Sequence, residues 1–172
     1  METMGLPHKL KNFNVFTAGD NYLGKVPELA LPKIAEKVES YRGGGMLAEV
    51  DIGMGLEKLE MEVTYGGLVL GIMRRMGLVG VAATQLRYIG AYQEDDAGAV
   101  LAAELVTQGK MVELDPGTAK VGDNTEFKAK HTLSYLKWTV NGRPEIEIDV
   151  LNNVWVVDGV DRMAEIRAAL QQ

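Results

Sequence analysis

The chain reads as a mainly β, α+β fold: an antiparallel β-sandwich or partly open barrel, with a short mid-chain helix and a C-terminal helix at one side. Three observations predict it. Short apolar runs alternate with polar residues at period two along most of the 172 residues. Turn signals separate these runs, and most of the 20 glycines sit in them. Helical spacing of apolar residues occurs in only two stretches, 68–76 and 161–170.

The elements follow in order. Residues 13–17 and 22–26 read as a hairpin around Ala18-Gly19-Asp20-Asn21. A long extended arm is expected over about residues 31–65. It starts as a strand charged on both faces and breaks at Gly43-Gly44-Gly45. It returns with Leu59, Met61, Val63 and Tyr65 on one face and Glu60, Glu62 and Thr64 on the other. Charge on both faces is incompatible with burial in one core, so the arm is expected to reach a neighbouring subunit.

The mid-chain helix is read over 68–76, with Leu68, Ile72 and Met76 on one side and Gly71 within it. Residues 86–93 alternate, Glu94-Asp95-Asp96-Ala97-Gly98 turns the chain, and 100–108 returns. Residues 111–114 continue that strand, with Gly109 as a bulge. Asp115-Pro116-Gly117-Thr118 has the Pro and Gly of a type II turn. Residues 127–140 form a long strand, and Asn141-Gly142 is the strongest hairpin signal in the chain. The return, 143–150, sets Ile146, Ile148 and Val150 against Glu145, Glu147 and Asp149. Asn152-Asn153 turns into 154–157. The closing helix takes Asp161 as N-cap and Met163, Ile166 and Leu170 as its apolar stripe.

Composition narrows the function. The length suits one domain, 1–172, with a core of its own. The net charge of −6 argues against a general nucleic-acid binder, which needs concentrated Lys and Arg. With no cysteine there is no disulfide, thiolate nucleophile or cysteine metal site, which fits folding in a reducing cytosol. The first residues lack the apolar core of a signal peptide, and no membrane span is expected.

No constellation demands catalysis, so catalytic residues, metal ligands and cofactors are all expected to be none. The glycine triplet lacks the Lys-Ser/Thr of a phosphate loop. Glu94-Asp95-Asp96 supplies too few fixed ligands for calcium and reads as a solvated tip. His8 and His131 are far apart in sequence, and His131 reads as an ordinary strand residue. Ser40 and Ser134 sit in no nucleophile elbow. Glu147 and Asp149 share a strand face, as a glycosidase pair does, but such a pair needs a cleft around it. Arg74-Arg75 reads as a solvated helix face. A carbohydrate-binding or hydrolytic β-sandwich is the contrasting class, and saturable glycan binding by a monomer would mark it.

Several segments together carry a resemblance that keeps its order along nearly the whole chain. They are Leu10-Lys11-Asn12-Phe13-Asn14-Val15-Phe16, Leu31-Pro32-Lys33, and Glu39-Ser40-Tyr41-Arg42-Gly43-Gly44-Gly45-Met46. They continue with Val50-Asp51-Ile52-Gly53-Met54-Gly55-Leu56-Glu57, Leu59-Glu60-Met61-Glu62, and Glu113-Leu114-Asp115-Pro116-Gly117, where Ile is more usual at 114. Tyr135-Leu136-Lys137, Glu147-Ile148-Asp149-Val150-Leu151-Asn152 and Asp158-Gly159-Val160-Asp161-Arg162 complete the set. In this the chain resembles the major tail tube proteins of contractile-tailed bacteriophages and their relatives in R-type pyocins.

The resemblance implies a structural role and a subunit like the type VI secretion tube protein. Hexameric rings would stack into a hollow tube inside a contractile sheath and conduct DNA. Implied partners are the chain itself, sheath, tape-measure, baseplate and tail terminator proteins, and DNA in transit without specific binding. The implied location is the virion tail, with the host cytoplasm during assembly. The alternative is a tube subunit of a bacteriocin or secretion apparatus that delivers no genome. The inter-subunit residues are expected in the arm: Tyr41, Arg42, Gly43, Gly44, Gly45, Met46, Asp51 and Leu56. Glu145, Glu147 and Asp149 are the candidate lumen or solvent face; an acidic lumen wall would repel the polyanion and let it slide.

Overall fold

The computed structural model describes residues 5–172. Twelve strands and two short helices make up the described part. The first strand, β1 (Lys9–Thr17), turns through Ala18-Gly19 into the two-residue β2 (Asp20–Asn21). The hairpin is therefore tighter than its turn signal suggested. Tyr22 leaves the strand and buries its ring edge-on against Tyr65, 5.5 Å between centroids. The three-residue β3 (Glu28–Ala30) follows, a strand too short to leave a period.

The arm is shorter than expected. Its two strands are β4 (Glu36–Tyr41) and β5 (Val50–Leu56), which form a sheet of their own. Residues 59–65 do not belong to it. They form β6 (Leu59–Tyr65), whose inward side chains Leu59, Met61, Val63 and Tyr65 are core residues. The clean alternation there marks a sheet with one covered face. The mid-chain helix α1 is one turn, Leu70–Met73, not nine residues. Gly71 weakens it, and Gly77 at φ +85° ends the following turns. Ile72 alone is buried from this helix.

Four long strands then run as a meander: β7 (Thr84–Gln93), β8 (Val100–Asp115), β9 (Phe127–Val140) and β10 (Arg143–Asp149). Asn141 and Gly142, at φ 47° and 80°, form the two-residue turn between β9 and β10. Val150 falls outside β10 and is exposed, so the apolar side of that strand is Ile146 and Ile148 only. The chain ends with β11 (Val154–Val157), β12 (Val160–Asp161) and α2 (Ala164–Ala169).

The strand order is β12-β11-β10-β9-β8-β7-β1-β2, with β3-β6 added to β9. The sheet folds over because β8 and β9 serve both layers. On its far edge β9 pairs with β10 through residues 135–140 and with β6 through 127–133. Bulges in the β8–β9 ladder at Gln108/Gly109 and Met111/Glu113 bend the pair. At the first, a Cβ on Gly109 would sit 2.2 Å from the Thr132 carbonyl oxygen, so no larger residue fits. Val15, Leu86, Tyr88 and Leu105 from one layer then meet Leu59, Met61, Val63 and Tyr65 from the other in one cluster. At roughly 25 cal/mol per Å² of apolar surface removed from water, this cluster holds the two layers together.

Candidate assembly surfaces

The arm projects from the sandwich as an uncovered hairpin. Its root is closed by the Glu57 N–H donating to the Ala35 carbonyl at 2.8 Å. Pairing of Tyr41 with Val50 and Glu39 with Ile52 fixes its two faces. One face carries Tyr41, Val50, Ile52 and Met54, all exposed. The other carries Val38, Ser40 and Asp51, where the Ser40 hydroxyl donates to the Asp51 carboxylate at 3.0 Å. An isolated two-stranded hairpin is marginal in water. Here it keeps an apolar face in solvent as well, which a subunit meant to stay alone has no reason to do.

Of the arm residues expected at the interface, Tyr41, Arg42, Gly43, Gly44, Gly45, Met46 and Asp51 lie along the outer part of the hairpin, and Leu56 lies at its root against the core. Arg42 Nε donates to the Met46 carbonyl at 3.3 Å, closing the tip. Among the three glycines, only Gly45 has positive φ, 84°. Two residues on, Leu47 is 96% exposed.

The acidic strand is less free than its alternation implied. Glu147 accepts the Tyr135 hydroxyl at 3.0 Å, and Asp149 accepts from the Asn152 side chain at 2.7 Å. Burial, then that bond to Glu147, raises the Tyr135 hydroxyl to about 12. Glu145 lies beside Arg143, and all three carboxylates are half-buried. Their sheet face continues through Lys137, Val106 and the Arg87–Glu104 ion pair at 3.0 Å, so it is mixed in charge. The sequence set Glu60, Glu62 and Thr64 on one side of their strand but not the residues that stand beside them. Glu60, Glu62 and Thr64 of β6 stand beside Lys128, Lys130 and Thr132 of β9, with Lys130 bonded to Glu60 at 3.4 Å.

The helices differ from expectation too. Asp161 does not cap α2; from ahead of the helix it accepts the Met163 N–H and pairs with Arg167 within it. The stripe Met163, Ile166, Leu170 does not enter the core: Ile166 and Leu170 are exposed. Around α1 the exposed residues are Leu68, Leu70, Met73 and Met76. These two apolar patches flank opposite ends of the strand order, α1 beside Asp20 of β2 and α2 beside β12. A period of 3.6 reported an apolar stripe correctly but could not say that the subunit itself leaves it uncovered.

Edges are open as well. β7 covers β8 only from Val100 to Gly109, so residues 110–115 have no strand on that side among the described residues. No group of three or more His, Cys, Asp and Glu side chains suited to a metal occurs among the described residues. His131 is fully buried between Met61 and Met111, neither ring nitrogen has a hydrogen-bond partner, and burial holds it down at about 4. It is a core residue. No described helix is long and apolar enough to cross a membrane.

The chain resembles known proteins along most of its length. The chain is 39% identical over 167 residues to the tail tube protein of Escherichia phage P2, covering 95% of this chain and 97% of that protein. It is 33% identical over 158 residues to the major tail tube protein of Serratia phage KSP20, covering 91% of each. Among solved structures, the fold is similar to a chain of an extracellular contractile injection system, the PVC sheath/tube terminator. The TM-score is 0.58 at 10% identity, over 80% of this chain and 99% of that one. A chain of the PVC sheath-tube complex gives 0.56 at 11% identity, over 77% and 91%. The family model for phage tail tube protein FII matches residues 7–170, and the chain belongs to that family.

Proposed function

We propose that the chain is the repeating subunit of a phage tail tube. Copies close into hexameric rings, and the rings stack into a hollow tube inside a contractile sheath that conducts DNA into the host. The observation that carries this reading is the β4–β5 hairpin, an arm with an exposed apolar face and no further strand beside it among the described residues. Open strand edges and apolar patches at both ends of the strand order support head-to-tail contacts, which close rings or propagate filaments. The phage relatives favour this over a tube that delivers no genome. The role is structural rather than enzymatic. The partners are sheath, tape-measure, baseplate and terminator proteins, and the location is the virion tail after assembly in the host cytoplasm. DNA passes without specific binding.

Light scattering over a wide concentration range, with negative-stain microscopy, tests the reading. Species far above 18.8 kDa and hollow tubes are expected. A strict monomer under every condition overturns it. The face with Glu145, Glu147 and Asp149 is proposed as lumen wall. Particles carrying Glu145→Lys with Glu147→Lys should form normal tubes and eject DNA slowly, since lysines pair with phosphates. Normal ejection from normal tubes places that face on the outside.

A further inference from the structure

The arm's landing place is written on the same subunit. At the arm root lies an apolar groove of about 400 Å³. Leu56, Leu59, Ile148, Trp155, Met163 and Ile166 line it, and it is what α2 leaves open by standing off the core. Its rim carries Glu36, Glu57 and Asp149 against one lysine, Lys58, which is already bonded to Glu60 at 2.7 Å. Glu36 and Glu57 have no ion-pair partner among the described residues.

At the other end of the arm the chemistry is complementary. The tip presents Leu47, almost wholly exposed, beside Arg42, whose guanidinium has no carboxylate partner among the described residues. An apolar knob with a cationic collar suits an apolar groove with an anionic rim. Knob and groove lie at opposite ends of one ladder of seven residues, roughly 23 Å long at about 3.3 Å per residue. A subunit cannot fill its own groove with its own tip. A second copy displaced along the arm by about that length can, and a head-to-tail pairing of this kind propagates as a stack where the displacement does not rotate the copies into a closed ring.

We infer that the arm tip of one copy seats Leu47 in the root groove of a second copy in the next ring, with Arg42 against the Glu36–Glu57 rim. This rests on the tube reading and specifies the contact that stacks the rings. It also accounts for two of the features of the isolated subunit that waste apolar surface, the bare tip and the lifted C-terminal helix.

The chain has no cysteine, which allows a clean test. The Leu47→Cys, Ile166→Cys double variant is assembled and treated with a short bismaleimide. Denaturing gels should then show a ladder of linked chains, while each single variant should give no ladder. Tubes that yield only single-chain bands overturn the groove assignment and leave the tube reading intact. If the cysteine pair prevents assembly, Leu47→Asp is compared with Val121→Asp, a change at another fully exposed apolar loop residue. The inference expects tubes from the second and rings without stacking from the first; tubes from both overturn it. Wild-type protein that never forms tubes removes the reading on which the inference rests.

Discussion

Strands β5 and β6 are neighbours in sequence and read alike, yet one stands in solvent and the other is the centre of the core. Ile52 is 46% exposed and Val63 is 0% exposed. Both segments alternate apolar and polar residues. The difference lies in what each strand finds beside it: β6 joins β9 and β3, while β4 and β5 find only each other. Alternation specifies a face to be covered. Whether the cover comes from the same chain or from another is set by topology, which the pattern does not carry.

The largest test of this contrast is a matched pair of changes. Val63→Asp places an unpaired carboxylate in the core and should cost about 4 kcal/mol or more, enough to lose the fold at modest temperature. Ile52→Asp should change subunit stability by less than about 0.5 kcal/mol and abolish tubes. Thermal melting read beside microscopy separates them; equal melting losses would put the arm in the core.

Next comes His131, which belongs to the β6 side of the comparison through its pairing with Met61. Its folded value, about 4, lies below the unfolded 6.5. Stability linked to it is therefore complete above about pH 6.5 and falls as pH drops toward 4, by about 3 kcal/mol in all. His131→Leu should flatten that acid limb, measured as melting temperature against pH, whereas no arm substitution should alter its slope. An unchanged limb in His131→Leu would assign the acid sensitivity to other groups.

A smaller effect is expected at the arm tip. Gly45→Ala, at φ +84°, should strain the turn by about 1–2 kcal/mol locally, whereas Gly44→Ala, with open space around it, should not. Because the arm is independent of the core, the readout is tube yield rather than melting temperature. Smallest of all, a double-mutant cycle on the exposed Arg87–Glu104 pair should give under about 1 kcal/mol of coupling despite its two-pronged geometry.

Much of the fold was legible where a residue type forces the backbone. Asn141-Gly142 placed a turn and its two flanking strands, and Gly109 marked a bulge, whereas Asp115-Pro116-Gly117-Thr118 did not give its type II turn: Gly117 has φ +70° and its N–H is held by the Asp115 carboxylate, but the chain first turns at residues 121–123. The illegible parts share one cause. The arm's end at Leu56, the three residues of β3, and the standing-off of Ile166 and Leu170 all depend on which surface is covered by what. Of the candidate surfaces, the place of residues 41–46 at the outer end of a hairpin was readable from their glycines. The β6 half of the polar face, Glu60 and Glu62, was readable, but its joining to Lys128 and Lys130 was not, because the two strands lie far apart in sequence and only the ladder brings them together.

The bond from Glu57 to Ala35 has a further consequence. It brings entry and exit of the arm side by side, so the sandwich below does not register how long the excursion above it is. The hairpin is in that sense a ruler held at one end. Adding two residues to each strand lengthens it by roughly 7 Å and returns every side chain to its own face, while adding one inverts the whole pattern. Spacing between successive layers of an assembly is thereby adjustable in quantised steps, without renegotiating the fold that carries the ruler.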